Sequence, residues 1–479
     1  MYGEELWTAF KQVKTAFDPD WLMNPGKVVY RDDDPTDMRD NLRYGADYSS
    51  LEPQTTLDFS DEGGFSHLVE LCNGCGTCRQ TRSDVMCPTY RASKEEIQAT
   101  RGRANMLRAA ISGDLPDGEL YSDRFQKEVL DLCVGCKGCK SDCPTGVDMA
   151  KLKTEVKHRY HQEEGTTARE QLFADIDSWS ALGSKLAPVS NWAPKLPGAR
   201  LVMEKTMGIA RDRELPTFTR ETLVDWFETR GGAGVPAAEA DHHVLLFPDT
   251  YTNYSYPEPG KAAVRVLEAA GVHVTIPTDL ESSGRAAFSK GFLDLASERA
   301  EANVSRLQER VEDGFSVVFV EPSDAVMFQD EYRDLLSGPD VEAVSNAAYG
   351  VCEYLDVHRL DGALETPEPE SMAELTYHGH CNQKATNKDH HAVGVLRRVG
   401  YAVDPLDSGC CGMAGSFGYE AEHFALSKAI GRILFDQVSE SSGDQVTAPG
   451  ASCRSQLGDR GPSAENPPHP IEFVARALD

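Results

Sequence analysis

The sequence predicts an α+β chain in which a helical, cysteine-rich region with two metal-binding runs precedes a duplicated α/β module. Three observations carry this. Two cysteine triplets at two-residue spacing begin at Cys72 and Cys133, short apolar strands alternate with helical stretches from Val244 onward, and that alternation recurs from Leu375. The chain has 479 residues, enough for about three domains. Its 77 Asp and Glu against 48 Lys and Arg leave a net charge of −29. Such a surface repels nucleic acid and, on average, an anionic membrane; a salt-adapted cytoplasm would favour it. No apolar run approaches the roughly 18 residues of a membrane span, and Met1-Tyr2-Gly3-Glu4-Glu5 lacks the basic and apolar regions of a secretory signal. The expected location is cytoplasmic, where 13 cysteines point to metal and not to a disulfide framework.

The first run is Cys72, Cys75 and Cys78, followed after eight residues by Cys87-Pro88; the second is Cys133, Cys136, Cys139 and Cys143-Pro144. The second is the spacing of bacterial two-cluster ferredoxins, in which three thiolates on a tight loop hold three irons of one cubane and the fourth reaches the other cluster. By that logic Cys72, Cys75, Cys78 and Cys143 hold one [4Fe-4S] cluster, and Cys133, Cys136, Cys139 and Cys87 the other. The exchanged assignment of Cys87 and Cys143 stays open. Gly74, Gly76, Gly135 and Gly138 suit loops whose backbone passes close to sulfide. The gap before Cys87 is expected to form a surface excursion. The alternative is zinc in two four-cysteine sites, although zinc ribbons supply paired cysteines and not triplets.

Helices are expected over 95–111 and from about Val147 to Tyr160. Their basic residues, among them Arg101, Arg103, Lys151, Lys153 and Lys157, are explained equally well as a solvated face, so they receive no site role.

In the last half, strands are expected at Val244–Phe247, Val272–Ile276 and Val317–Val320, with helices near Lys261–Ala270 and Ala286–Val311. Leu245 to Tyr251 aligns with Leu375 to Cys381, and Val264 to Val274 with Val393 to Val403. Ser282-Ser283-Gly284 then aligns with Cys410-Cys411-Gly412, and Pro322-Ser323-Asp324 with Ala451-Ser452-Cys453. Copy two therefore places Cys381, Cys410, Cys411 and Cys453 where copy one has Tyr251, Ser282, Ser283 and Asp324. Four thiols at loop ends suit a soft metal or a further cluster, and buried thiols or a redox disulfide are the other reading. Copy one reads as scaffold. His378 and His380 are expected to hydrogen-bond, Cys352 to pack in a core, and Pro259-Gly260-Lys261 not to form a phosphate loop, since Ala262 replaces its hydroxyl residue.

The motifs CNGCGTC, MCPTY, TRGRANMLR, CVGCKGCKSDCPTGVDM, HGHCNQKA, SGCCGMAGSFGYE and SCRSQL together resemble the C-terminal half of large FAD-linked oxidases fused to an iron–sulfur and CCG-domain region. That group includes D-lactate and D-2-hydroxyglutarate dehydrogenases, with iron–sulfur subunits of glycolate oxidase and anaerobic glycerol-3-phosphate dehydrogenase as relatives. Residues 6–28 resemble the last helix and Asn-Pro-Gly-Lys turn that close the FAD domain. The resemblance implies an FAD-linked oxidase tail over 1–45, a helical ferredoxin-like domain over 65–165 and a helical connector over 166–240. Degenerate CCG copy one over 241–365 and CCG copy two over 370–479 follow. Copy two departs from the family pattern at Gly450, where the first cysteine of a final pair would stand.

The implied function is the iron–sulfur, electron-transfer portion of an FAD-dependent 2-hydroxy acid dehydrogenase, with bond-breaking catalysis outside this chain. Its implied partners are an FAD-binding oxidase polypeptide, whose flavin Asn24, Pro25, Gly26 and Lys27 approach, and a quinone or carrier-protein acceptor. The chain is then the product of a split gene or of a truncated gene model, cytoplasmic or peripheral to the inner face of the membrane. The rival function is a heterodisulfide-reductase-like thiol enzyme.

Overall fold

The computed structural model describes residues 3–32, 45, 47–81, 86–364, 373–461 and 464–478. The middle of the expected excursion before Cys87, residues 82–85, lies outside them, as do 33–44 of the expected oxidase tail and 365–372 between the expected module copies. The chain divides into two units, residues 1–51 and 52–479. In the first, helix α1 (Gly3–Phe17) presents Leu6, Phe10, Val13 and Phe17 exposed. It ends at Asp18, whose carboxylate pairs with Lys14 and accepts the N–H groups of Leu22 and Met23, each at 3.0 Å. The Asn-Pro-Gly-Lys turn follows, with positive φ at Asn24 and Gly26.

The second unit opens with a helical region: α2 (Phe65–Glu70), α3 (Pro88–Ser93), α4 (Thr100–Ile111), α5 (Gly138–Asp142) and α6 (Met149–Glu164). Helix α4 begins later than the sequence suggests, because Glu96–Gln98 tightens into a 3₁₀ turn. Helix α6 starts where Asp148 caps it, accepting the N–H of Ala150 at 3.0 Å and of Lys151 at 3.1 Å. The connector carries α7 (Ile176–Lys185) and α8 (Ala199–Met207).

Two small parallel sheets follow. Strands β1 (His243–Leu246), β2 (His273–Thr275), β3 (Phe315–Phe319) and β4 (Ala348–Gly350) lie in the order β2-β1-β3-β4. Strands β5 (Glu374–Tyr377), β6 (Ala402–Pro405) and β7 (Gln445–Thr447) lie in the order β6-β5-β7. In each sheet the first strand is central, the second on one side and the third on the other. Crossover helices cover both faces, which is why the central strands are near-continuous apolar runs. The helices needed below are α9 (Leu293–Glu312), α10 (Pro322–Val326), α11 (Cys381–Ala385), α12 (Phe424–Glu440) and α13 (Ala451–Gly458).

The helix expected over Ala286–Val311 is instead two, Arg285–Ser289 and α9. Gly291, at φ +77°, breaks it, and the bare glycine admits α6 so closely that an added Cβ would sit 3.0 Å from the Cβ of Lys157.

Hydrophobic cores cross the expected boundaries. One runs from Phe65, Leu107 and Leu152 in the helical region into Phe247, Phe319 and Phe328 beside the first sheet. Another joins Val244, Leu246 and Val318 to Leu375 and Tyr377 of the second sheet. Phe319 is fully buried, with ring centroids 4.9 Å from Phe247 and 4.8 Å from Phe328. Phe319→Ala should therefore cost about 3–5 kcal/mol, read as a lower urea midpoint. Among the described residues no helix is long and apolar enough to cross a membrane.

Candidate metal centres and their cavity

The first cysteine run lies on the loop after α2, turned by Gly74 and Gly76 at positive φ. Cys75 is exposed, Cys72 half-buried and Cys78 buried. Burial, with the neighbouring Cys87 and Cys72, pushes the Cys78 thiol up to about 11. The Arg101 N–H points at Cys78 Sγ (3.4 Å) and its guanidinium donates to Gly74 O at 3.1 Å. Cys143 ends α5, with Sγ 3.4 Å from Thr145 Oγ1.

Cys87 is separated in sequence from the second run, yet Cys87, Cys133, Cys136 and Cys139 line one small cavity with Arg103 and Met149. The Met149 N–H donates to Cys139 Sγ at 3.3 Å. Arg103 is 1% exposed, donates to Val129 O at 3.0 Å and stands 3.9 Å from Cys87 Sγ. Burial drives the Cys136 and Cys139 thiols well above their ordinary range. Buried thiols such as Cys136 and Cys139 keep their protons unless a cationic centre replaces them, so the donor set and its N–H donor to sulfur fit an iron–sulfur cluster.

Sequence reasoning passed over the charges around this loop. Lys137, between Cys136 and Cys139, takes φ +59° and is 3% exposed. Burial disfavours its charge, but Glu331 at 3.0 Å and Asp330 outweigh that and raise its pKa. Arg285 also pairs with Glu331, and Lys140 meets Asp330 at 2.8 Å. Arg103 and Lys153 are not a solvated face either. Lys153 donates to the carbonyls of Asp131 and Cys133, and burial lowers it to about 8.

In the second sheet all four corner cysteines sit beyond the carboxyl ends of the strands, where open α/β folds bind ligands. Cys381 begins α11 after β5, Cys410 and Cys411 follow β6, and Cys453 lies on α13 after β7. Cys410 contacts Cys381 and Cys411; Cys410, Cys453 and His378 hold the Cys411 thiol well below its ordinary range against the burial that would raise it. Ligand atoms of His378, Cys411 and Cys453 lie within 4.8 Å of one another. His378 Nδ1 bonds Ser408 Oγ at 2.6 Å, and its ring stands against the Cys411 thiol. Gly412 takes φ +90° where a Cβ would lie 2.5 Å from Ser427 O of α12. His380 caps α11 by accepting the Asn382 N–H at 3.3 Å. Its ring fills the space at Gly450, where a Cβ would come within 2.5 Å of His380 Cδ2. Cys352 is buried in the core, apart from these corners.

These corners open on a cavity of about 1040 Å³, which Cys133 and Cys136 also line. The corresponding residues of the first sheet, Tyr251, Ser282, Ser283 and Asp324, form another part of its wall. Ser283 donates to Asp324, so that set is polar and hard, not a soft-metal site. Helix α5 packs on α11, and Cys381 lies near enough to Cys136 to help raise its thiol.

His423 ties this side to the second run through Asp131 at 2.7 Å, with Glu420 at 3.4 Å. Burial opposes its charge, yet the two carboxylates raise its pKa. A raised imidazole stabilises the fold below its unfolded pKa and loses that contribution as pH climbs through the folded value. His423→Gln should then lower the melting temperature more at about pH 6 than at about pH 9.

The comparisons with known proteins agree with this geometry. The chain matches the 4Fe-4S dicluster domain family over residues 68–147, the C-terminal domain of FAD linked oxidases over 1–28, and the cysteine-rich (CCG) domain over 375–458. The dicluster match favours iron–sulfur over zinc. The chain is 25% identical to D-2-hydroxyglutarate dehydrogenase of Haemophilus influenzae over 95% of its own length and 48% of that protein's. It is 27% identical to a subunit of the anaerobic glycerol-3-phosphate dehydrogenase of Escherichia coli, covering 85% of this chain and 98% of the relative. The glycolate oxidase iron-sulfur subunit of Escherichia coli is 24% identical over 86% of this chain and 95% of its own. The chain thus spans about half the length of the D-2-hydroxyglutarate dehydrogenases it matches and nearly the whole of the two smaller relatives. By likeness it is an iron–sulfur oxidoreductase component, combining a 4Fe-4S dicluster region with a cysteine-rich domain.

Proposed function

We propose that this chain is the electron relay of an FAD-dependent 2-hydroxy acid dehydrogenase of the D-lactate, D-2-hydroxyglutarate or glycolate kind. The observation that carries the reading is Cys87 standing with Cys133, Cys136 and Cys139 around one cavity, the cross-pairing of a two-cluster ferredoxin. Cys72, Cys75, Cys78 and Cys143 then hold the other cluster. When bound, each [4Fe-4S] cluster carries single electrons. The protein supplies N–H donors to Cys78 and Cys139 and buried cations beside the second loop.

The exposed apolar side chains of α1 are where an FAD-bearing polypeptide docks, with Asn24 to Lys27 turned toward its flavin. Electrons leave at the 1040 Å³ cavity, where Cys136 faces the corner of Cys381, Cys410, Cys411 and Cys453. A quinone or carrier protein is the acceptor, reached from the cytoplasm or at the membrane's inner face. The domain order is oxidase tail, ferredoxin-like region, connector and two copies of one module. The first copy is degenerate, its cysteine positions taken by Tyr251, Ser282, Ser283 and Asp324.

Anaerobically prepared chain should contain acid-labile sulfide and give paramagnetic signals after dithionite; a colourless, sulfide-free sample would end this reading. Deleting residues 1–30 should abolish co-purification with the FAD-bearing polypeptide. The lowered Cys411 thiol beside the cavity favours one second reading, reduction of a disulfide substrate at that corner. Cys410→Ser separates the two. Intact flavin-to-acceptor transfer supports the relay, and selective loss of disulfide reduction supports the thiol enzyme.

A further inference from the structure

Helix α7 is inside out for a protein in water. It buries Ser180, Gly183 and Ser184 and exposes Trp179 and Leu182. The pattern continues through Leu186, Val189, Trp192 and Val202, so that these six large apolar side chains are between 48% and 68% exposed. Exposed leucines are ordinary singly, but a run this dense marks an interaction surface.

The segment is fixed at its base and not by its apolar side chains. The Asn191 side chain clamps the Phe218 backbone, donating to its carbonyl and accepting its N–H, each at 2.7 Å, and Arg200 donates to Ala210 O at 2.7 Å and Arg213 O at 2.6 Å. Its charge is as distinctive. Residues 178–203 contain Lys185, Lys195 and Arg200 and no Asp or Glu, where the average of this acidic chain would place about four. Trp179, Leu196 and Leu201 both line the 1040 Å³ cavity and face solvent, so its mouth opens within this patch.

We propose that residues 178–203 seat on an anionic lipid surface, with the cavity mouth against the bilayer. Interfacial Trp and apolar side chains with Lys185 and Lys195 among them are the composition such a surface recognises, the flanking Asp175 and Asp177 being paired with Arg299. The chain's net charge of −29 is largely screened beyond about 8 Å at physiological salt, so the local cations decide the contact. Entry of a lipid-soluble acceptor through that mouth rests on the relay proposed above; the lipid seating does not.

The test is flotation of the full, cluster-loaded chain with vesicles of phosphatidylcholine alone and with about 30% phosphatidylglycerol. The chain should float with the anionic vesicles, with blue-shifted tryptophan emission. The double variant Leu186→Glu, Trp192→Glu should bind at least about tenfold more weakly, with unchanged melting temperature and cluster resonance. A chain that stays unbound, that floats equally with neutral vesicles, or that hides this face in a dimer would overturn the proposal. The resonance spectra report on the clusters separately, so failure of the relay is seen independently of failure to bind lipid.

Discussion

Cys87→Ala is expected to remove the same cluster as Cys133→Ala, although Cys87 belongs to the first cysteine run. Iron should fall from about eight to about four per chain in either variant, and the surviving resonance should be identical in both. Cys143→Ala should leave the complementary signal. The expectation follows from the shared cavity of Cys87, Cys133, Cys136 and Cys139, beside which Arg103 and the Met149 N–H meet sulfur. Flavin-to-acceptor transfer should collapse in all three, because a relay with one station removed must cross the whole distance in a single step. If Cys87→Ala and Cys72→Ala share a spectrum, the pairing is the exchanged one.

Lys137→Met should destabilise the chain by about 3–5 kcal/mol, the cost of stripping a buried ion pair of one partner. Glu331, 1% exposed, would keep Arg285 but lose Lys137, and Asp330 would retain only Lys140. Urea unfolding under anaerobic conditions measures the loss. Adding Glu331→Gln should restore part of it, since the leftover charge and not the missing attraction is the larger penalty. A change below about 0.5 kcal/mol would mean that the pair is solvated.

Much of this architecture was legible in the residues. The triplets at Cys72 and Cys133 and the proline after Cys87 and Cys143 declare a two-cluster loop through local spacing alone. Strands β2 and β6, starting at His273 and Ala402, and helices α10 and α13, starting at Pro322 and Ala451, keep the separation along the chain on which the aligned blocks rest.

What stayed hidden depends on partners far away in sequence. Lys137 reads as a surface lysine until Asp330 and Glu331 are brought to it, and Arg103 as a helix-face cation until Val129 O and Cys87 close over it. His378 lies two residues before His380, but only the loop after β6 decides that one meets Ser408 and Cys411 while the other caps a helix. The break at Gly291 was equally unreadable, since a single glycine in a helical pattern is tolerated unless another helix needs the space. That α7 buries Gly183 and Ser184 while its apolar neighbours face outward needed coordinates.

The clamp on Lys137 also sets a schedule for biosynthesis. Glu331 follows Lys137 by 194 residues, so a ribosome adding about 5–20 residues per second makes it on the order of ten to forty seconds later. During that interval the thiols of the second loop lack this cover, and iron delivery has open access; once the α/β portion folds down, Cys133 and Cys136 are reached through the mouth of the large cavity. Cells short of iron donors would accumulate chains folded without metal, and metal added to such finished protein would enter more slowly, by way of that mouth.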